Sequence, residues 1–135
     1  MSMTAIGKKN MVVAPLYFIL TLGLGMFLMQ KGQAGVSGWA ESTTHKLLAG
    51  AHVHGSLEAL VNVVFGYLLC RFGKNSELLA RIASWLLLVG MLHSGGAYLA
   101  GLGITGAKLL APLGAVSLIG GIVCMVPVLA KADLG

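Results

Sequence analysis

Charge is what this sequence has least of. Only 10% of its 135 residues are charged, against about 25% in an ordinary soluble domain. With a mean hydropathy of +0.90, the shortage argues against a water-soluble exterior and for an integral membrane protein. Nine Lys and Arg against four Asp and Glu leave a formal charge of +5. These cations are scattered over short loops, so they form no nucleic-acid surface and read instead as topology signals. Cysteine is nearly absent. Cys70 and Cys124 each sit near the end of an apolar run, at a spacing that matches no metal motif, and are expected to be reduced and packed. Period-two alternation is missing, which argues against a barrel. There is no H-E-x-x-H, no cysteine pair and no phosphate-binding glycine loop, and no internal repeat.

What is present is four long apolar segments, about 11–29, 47–70, 78–102 and 109–130. Each is long enough to cross a ~30 Å hydrocarbon core. The first ends in "FLMQKGQAGVSG", with no small-x-small cleavage site close to the apolar stretch, so it reads as a membrane helix rather than a cleaved signal. Twelve of the 20 glycines lie within the apolar segments, where they let helix backbones or a flat cofactor approach closely. Ser42, Thr43 and Thr44 are placed to cap the second helix. The short turn 71–77, with Gly73 and Asn75, makes helices two and three antiparallel neighbours. The expected fold is all-α: an integral membrane four-helix bundle, one domain over 1–135. Lys8, Lys9, Arg71, Lys74, Arg81 and Lys131 fall on one side and Lys31, Lys46 and Lys108 on the other. That bias predicts a multi-pass protein of a bacterial-type inner (plasma) membrane with both termini cytoplasmic.

The second segment carries polar groups where they are expensive. His54, Glu58 and Asn62 are spaced i, i+4, i+8 and share one stripe. His52 points to roughly the opposite side, above Gly55, Ser56, Ala59 and Gly66, all within about 60° of its direction on an ideal helix. This smooth wall can receive a second helix backbone, or a flat macrocycle bound to the imidazole. In the third segment His93, Gly96, Ala97 and Ala100 share a face, and Ser94 and Tyr98 lie one turn apart. A Tyr hydroxyl needs a partner when buried. Ionisable groups in membrane helices face the bundle interior or a water-filled cavity. Removal from water favours a neutral carboxylic acid, a form suited to donating a proton. Against that stands a plainer role: Glu58, His54 and Asn62 as hydrogen-bond partners between helices. From the residues alone, a haem protein, a small transporter and an intramembrane enzyme all remain open.

At "GAHVHGSLEA" and "GGAYL" the chain resembles the family of small four-helix membrane isomerases that includes styrene oxide isomerase and hydroxylaminobenzene mutase. The family motif A-H-x-x-G-x-x-N-G is matched at Ala51, His52 and Gly55. Its asparagine falls on Glu58 and its last glycine on Ala59. A G-x-Y segment is matched at Gly96, Ala97 and Tyr98. The epoxide enzyme's helix-three aspartate falls on Gly90, and the loop "GITGAK" is shorter than that enzyme's, which tilts the comparison toward the mutase.

The resemblance implies haem b, with His52 as the iron ligand and Gly55 and Ala59 beside the macrocycle. It also implies a homotrimer and a substrate site with Tyr98. Glu58 and Asn62, close by on the same helix, complete the expected catalytic set. The expected activity is an intramolecular isomerase of a small apolar aromatic substrate drawn from membrane lipid, arylhydroxylamine to 2-aminophenol. The alternatives are an epoxide-to-aldehyde isomerase and a non-enzymatic haem-binding or proton- or ion-conducting protein.

Overall fold

The structure, a computed structural model, describes residues 4–132. Among these the chain is helical and holds no strand. Five α-helices follow in order: α1 (Lys8–Gln33), α2 (Thr43–Phe72), α3 (Glu77–Gly90), α4 (Leu92–Gly101) and α5 (Leu110–Ala130). Short 3-10 turns, Gly73–Ser76 and Thr105–Leu109, precede α3 and α5.

Local chemistry sets these boundaries. The segment between α1 and α2 turns through Gly35 and Gly38, whose φ angles are 62° and 71°, a region glycine enters without a Cβ penalty. Ser42 then caps α2, its hydroxyl accepting from the His45 amide at 3.0 Å. The third apolar segment is two helices rather than one, broken at Met91. Gly90 precedes the break. The Met91 carbonyl lies 3.4 Å from both the Tyr17 and Ser94 hydroxyls, in addition to its helical bond from the Gly95 amide at 3.0 Å. Glycine and inserted side-chain hydroxyls are established causes of helix interruption.

The helices pack antiparallel in sequence. Gly7 of the lead-in to α1 meets Gly66 of α2 at one end, and Gly25 meets His52 at the other. Asn62 of α2 bonds the Leu87 carbonyl of α3 at 3.0 Å, while Leu48 lies against Gly101 of α4. On α5, Gly121 sits against Leu87 and Gly114 against the His93 backbone. Two apolar clusters result. The larger joins Leu69, Ala80, Ala83, Leu87, Met125 and Val128 near the Gly73–Ser76 turn. The smaller, Leu24, Leu48 and Ala51, lies toward the other end.

The outside is as apolar as the inside: Leu20 is 69% exposed, Val116 70% and Leu109 77%. Three helical stretches are long and apolar enough to cross a membrane: Lys8–Gln33, Thr43–Gly101 and Thr105–Ala130. The middle one reverses direction at the Gly73–Ser76 turn, as the antiparallel contacts of α2 with α3 and α4 require. Basic residues gather at that turn. Lys9, Lys74 and Arg81 line one pocket, and the Asn75 amide donates to the Lys131 carbonyl at 3.2 Å.

Candidate functional site

Helices α1, α2 and α4 meet at Gly55. A Cβ there would lie 2.6 Å from the Thr21 methyl and 3.2 Å from the Ser94 hydroxyl, so only glycine allows the three to close. Just beside this junction is the buried carboxyl of Glu58, 2% exposed. Its partner is the Ser94 hydroxyl, which donates to Oε2 in a short hydrogen bond. Ser94 Oγ in turn lies 2.7 Å from the Tyr17 hydroxyl. A serine has one hydroxyl hydrogen. With that hydrogen on Glu58, Tyr17 must donate to Ser94. The order is therefore Tyr17 to Ser94 to Glu58, and it reverses end to end when Glu58 holds the proton.

Tyr17 also forms part of the wall of a cavity of about 400 Å³ between α1, α2 and α4. Leu24, Phe27, Leu48, Ala51 and Tyr98 line it as well. A predominantly apolar pocket of this size with a few polar groups is the usual form of a small-molecule site. Toward one end of the cavity Phe27 meets Trp39 edge-on, with centroids 6.3 Å apart.

Glu58 and Asn62 share a face, but they belong to different hydrogen-bonded sets. Asn62 is fully buried. Its amide donates to the Glu58 and Leu87 carbonyls, both at 3.0 Å, and its oxygen accepts from Asn10 at 2.8 Å. Asn10 also donates to the Ser84 carbonyl at 3.0 Å and accepts from the Ser84 hydroxyl at 2.5 Å. Every donor and acceptor group of the Asn62 side chain is thus engaged in tying α1, α2 and α3 together. His54, the third member of the expected stripe, is exposed and meets the His93 ring edge-on at 5.0 Å between centroids. Tyr98 lines the cavity, 40% exposed, and is not among the partners of Glu58.

His52 is half-buried at the α1–α2 contact. Its Nδ1 lies 2.7 Å from the Thr21 carbonyl. A carbonyl only accepts, so Nδ1 carries the hydrogen, and in the neutral ring Nε2 keeps its lone pair. That tautomer suits a metal-ligating histidine. The wall expected to receive a macrocycle is another matter. Gly55 is covered by Thr21 and Ser94, Ala59 is 1% exposed, and Gly66 lies under Gly7 and Asn10. The His52 ring itself packs on Gly25, where a Cβ would come within 2.5 Å of Cε1. Of the two occupants the sequence leaves open, a helix backbone fills this face. His52, Gly55 and Ala59 therefore do not fit a haem within one chain. Among the described residues, no cluster of three or more His, Cys, Asp or Glu is arranged to hold a metal ion.

Tyr17 and Asn10 were not singled out from the sequence, nor was Ser94 as the partner of Glu58. Tyr17 is the one tyrosine of the first apolar segment, and a buried phenol needs a hydrogen-bond partner. That was the available signal. Compared with family models, with curated proteins and with solved structures, the chain matches none.

Proposed function

We propose that the chain is a membrane-embedded isomerase that protonates a small apolar aromatic molecule in the α1–α2–α4 cavity, with Glu58 as the proton store and Tyr17 as the donor. In this reading the middle helical stretch crosses twice, giving four passes, and the substrate arrives from the lipid. One observation carries it: Tyr17, a residue of the cavity wall, is joined by its hydroxyl through Ser94 to the buried Glu58 carboxyl.

Tyr17 gives its proton to the substrate oxygen and is refilled by Ser94, which is refilled by Glu58. With an arylhydroxylamine, the N–O bond breaks with its electron pair on oxygen. That oxygen, now carrying two hydrogens, bonds to the adjacent ring carbon and one of its hydrogens passes to the nitrogen; the ring carbon's hydrogen leaves as a proton and returns along the same path. The product is the isomeric 2-aminophenol, with no external oxidant or reductant. With an epoxide, C–O opening and a hydride shift give the aldehyde, and the proton again returns. Low-dielectric surroundings strengthen such hydrogen-bonded runs, and the apolar wall orients an aromatic ring. Among the described residues the Glu58 carboxyl bonds to Ser94 alone, which favours a store that fills and empties from one side over a path conducting protons across the bundle.

The test is a turnover screen of arylhydroxylamines and aryl epoxides with detergent-purified protein, beside Glu58→Gln and Tyr17→Phe. General acid–base help is worth about 10²–10⁴-fold, and each variant is expected to lose a factor in that range. Equal turnover in all three proteins would end the proposal. So would no turnover together with no binding of these compounds in the cavity.

A further inference from the structure

A second pocket lies at the opposite end of the helices, away from the cavity. It is open, about 510 Å³, and sits between residues 4–9 and α3. Lys9, Lys74, Arg81 and Trp85 line it with Glu77. Three cations thus face one carboxylate. That carboxylate is already committed, for Glu77 Oε1 accepts from Arg81 Nη2 at 2.5 Å and Nε at 3.1 Å. Lys9 is held over the Trp85 ring, its Nζ 4.6 Å from the centroid, and donates weakly to the Ile6 carbonyl at 3.4 Å. Lys74 makes no side-chain hydrogen bond or ion pair among the described residues. Among the described residues the pocket is therefore a concave site of net charge +2 with the exposed Lys74 among its lining residues.

Its surroundings decide what kind of anion fits. Trp85 is 61% exposed, and a half-exposed indole beside lysines is the usual arrangement at the boundary between hydrocarbon and headgroups. On the same helices Val12, Val13 and Ile82 are exposed, so apolar surface borders the cationic pocket. A ligand with an anionic head and apolar tails satisfies both parts at once. Basic pockets between membrane helices on the cytoplasmic side bind phospholipid headgroups in this way.

We infer that this pocket binds the phosphate group of an anionic phospholipid, with Lys74, Lys9 and Arg81 around the headgroup and its acyl chains along Val12 and Ile82. This rests on the membrane reading of the proposed function but not on the cavity or its chemistry.

Native mass spectrometry of the purified full chain tests it, with phosphatidylglycerol, phosphatidylcholine or inorganic phosphate added. Phosphatidylglycerol is expected to be retained over phosphatidylcholine. Each juxtamembrane cation contributes about fivefold to such binding. Retention should therefore fall about fivefold in Lys74→Gln and about 25-fold in the Lys74→Gln, Arg81→Gln double variant. The matched double variant at the far end, Lys46→Gln with Lys108→Gln, should retain the lipid as before. These are surface changes, and unaltered thermal midpoints would confirm folding. Equal retention of the two lipids, or equal loss in the far-end variant, would overturn the site. Uptake of inorganic phosphate lost in Lys74→Gln, without retention of phosphatidylglycerol, would overturn the lipid as its source. None of these outcomes depends on turnover, so the pocket and the isomerase proposal fail separately.

Discussion

Asn62 and Glu58 are one helical turn apart, yet they belong to separate hydrogen-bonded sets. Asn62 has no free hydrogen to offer a substrate, because the Glu58 and Leu87 carbonyls take both, and its oxygen already accepts from Asn10. Asn62→Leu strands the Asn10 amide and the Leu87 carbonyl, and each buried polar group left without a partner costs about 1–3 kcal/mol. It should lower the thermal midpoint clearly while changing turnover per folded molecule little. A large turnover loss at unchanged stability would return Asn62 to the catalytic set. Glu58→Gln should do the reverse. Its amide can still bond Ser94, so the fold persists, but it cannot store the proton. A Ser94→Ala variant cuts the run in its middle and should resemble Tyr17→Phe in turnover. That Glu58 meets a polar partner was legible from the sequence, since a carboxyl in an apolar helix has to face something polar. Its partner was not legible. Periodicity within α2 groups Glu58 with His54 and Asn62, whereas Ser94 and Tyr17 reach it from other helices, and spacing along one helix carries no information about inter-helix register.

At the scale of the element, glycine decides where helices touch. A Cβ on Gly114 would run into the His93 amide and the Leu92 carbonyl carbon, backbone atoms that cannot move aside without separating α4 from α5. Gly114→Ala should cost about 1–3 kcal/mol, the usual range for overpacking. Gly50 in the first part of α2 has nothing within 4 Å of a Cβ, so Gly50→Ala should be neutral or stabilise by about 0.5–1 kcal/mol. Thermal unfolding of the two variants in one detergent checks the contrast, and equal effects would mean the α4–α5 contact is looser than described. Hydropathy alone located the apolar segments within a few residues of α1, α2 and α5. It missed the break at Met91, where Gly90 precedes the break and the Tyr17 hydroxyl of α1 lies 3.4 Å from the Met91 carbonyl, a neighbour from another helix that a locally helical sequence does not reveal. The small wall beside His52 was legible as a close-approach surface. Composition could not tell that α1 would be what approaches it, since a helix backbone and a flat macrocycle ask for the same small residues.

At the scale of the molecule, the open quantity is how many times the chain crosses. Hydropathy and length give three stretches, one of them the 59 residues of Thr43–Gly101. If that stretch crosses once, the ends of the chain lie on opposite sides. If it crosses out and back, they lie on the same side. The packing supports the second case. Asn62 meets Leu87 and Leu48 meets Gly101, so α2 and the α3–α4 pair lie side by side, each long enough for a ~30 Å span, with the chain turning between them at Gly73–Ser76. The cations point the same way: Lys9, Lys74 and Arg81 come together at that turn, where an excess of Lys and Arg marks the cytoplasmic face. Single cysteines placed at Gly38, Lys74, Gly106 and Lys131, with Cys70 and Cys124 replaced by alanine, turn this into a measurement. A membrane-impermeant maleimide added to intact cells should label the first and third sites. Lys74→Cys and Lys131→Cys should label only after the membrane is opened. Labelling of Lys131→Cys in intact cells, with Gly106→Cys protected, would mean that the middle stretch crosses once. The α2–α3 hairpin would then lie on one side of the bilayer, and both the cavity opening to lipid and the headgroup pocket would lose their basis.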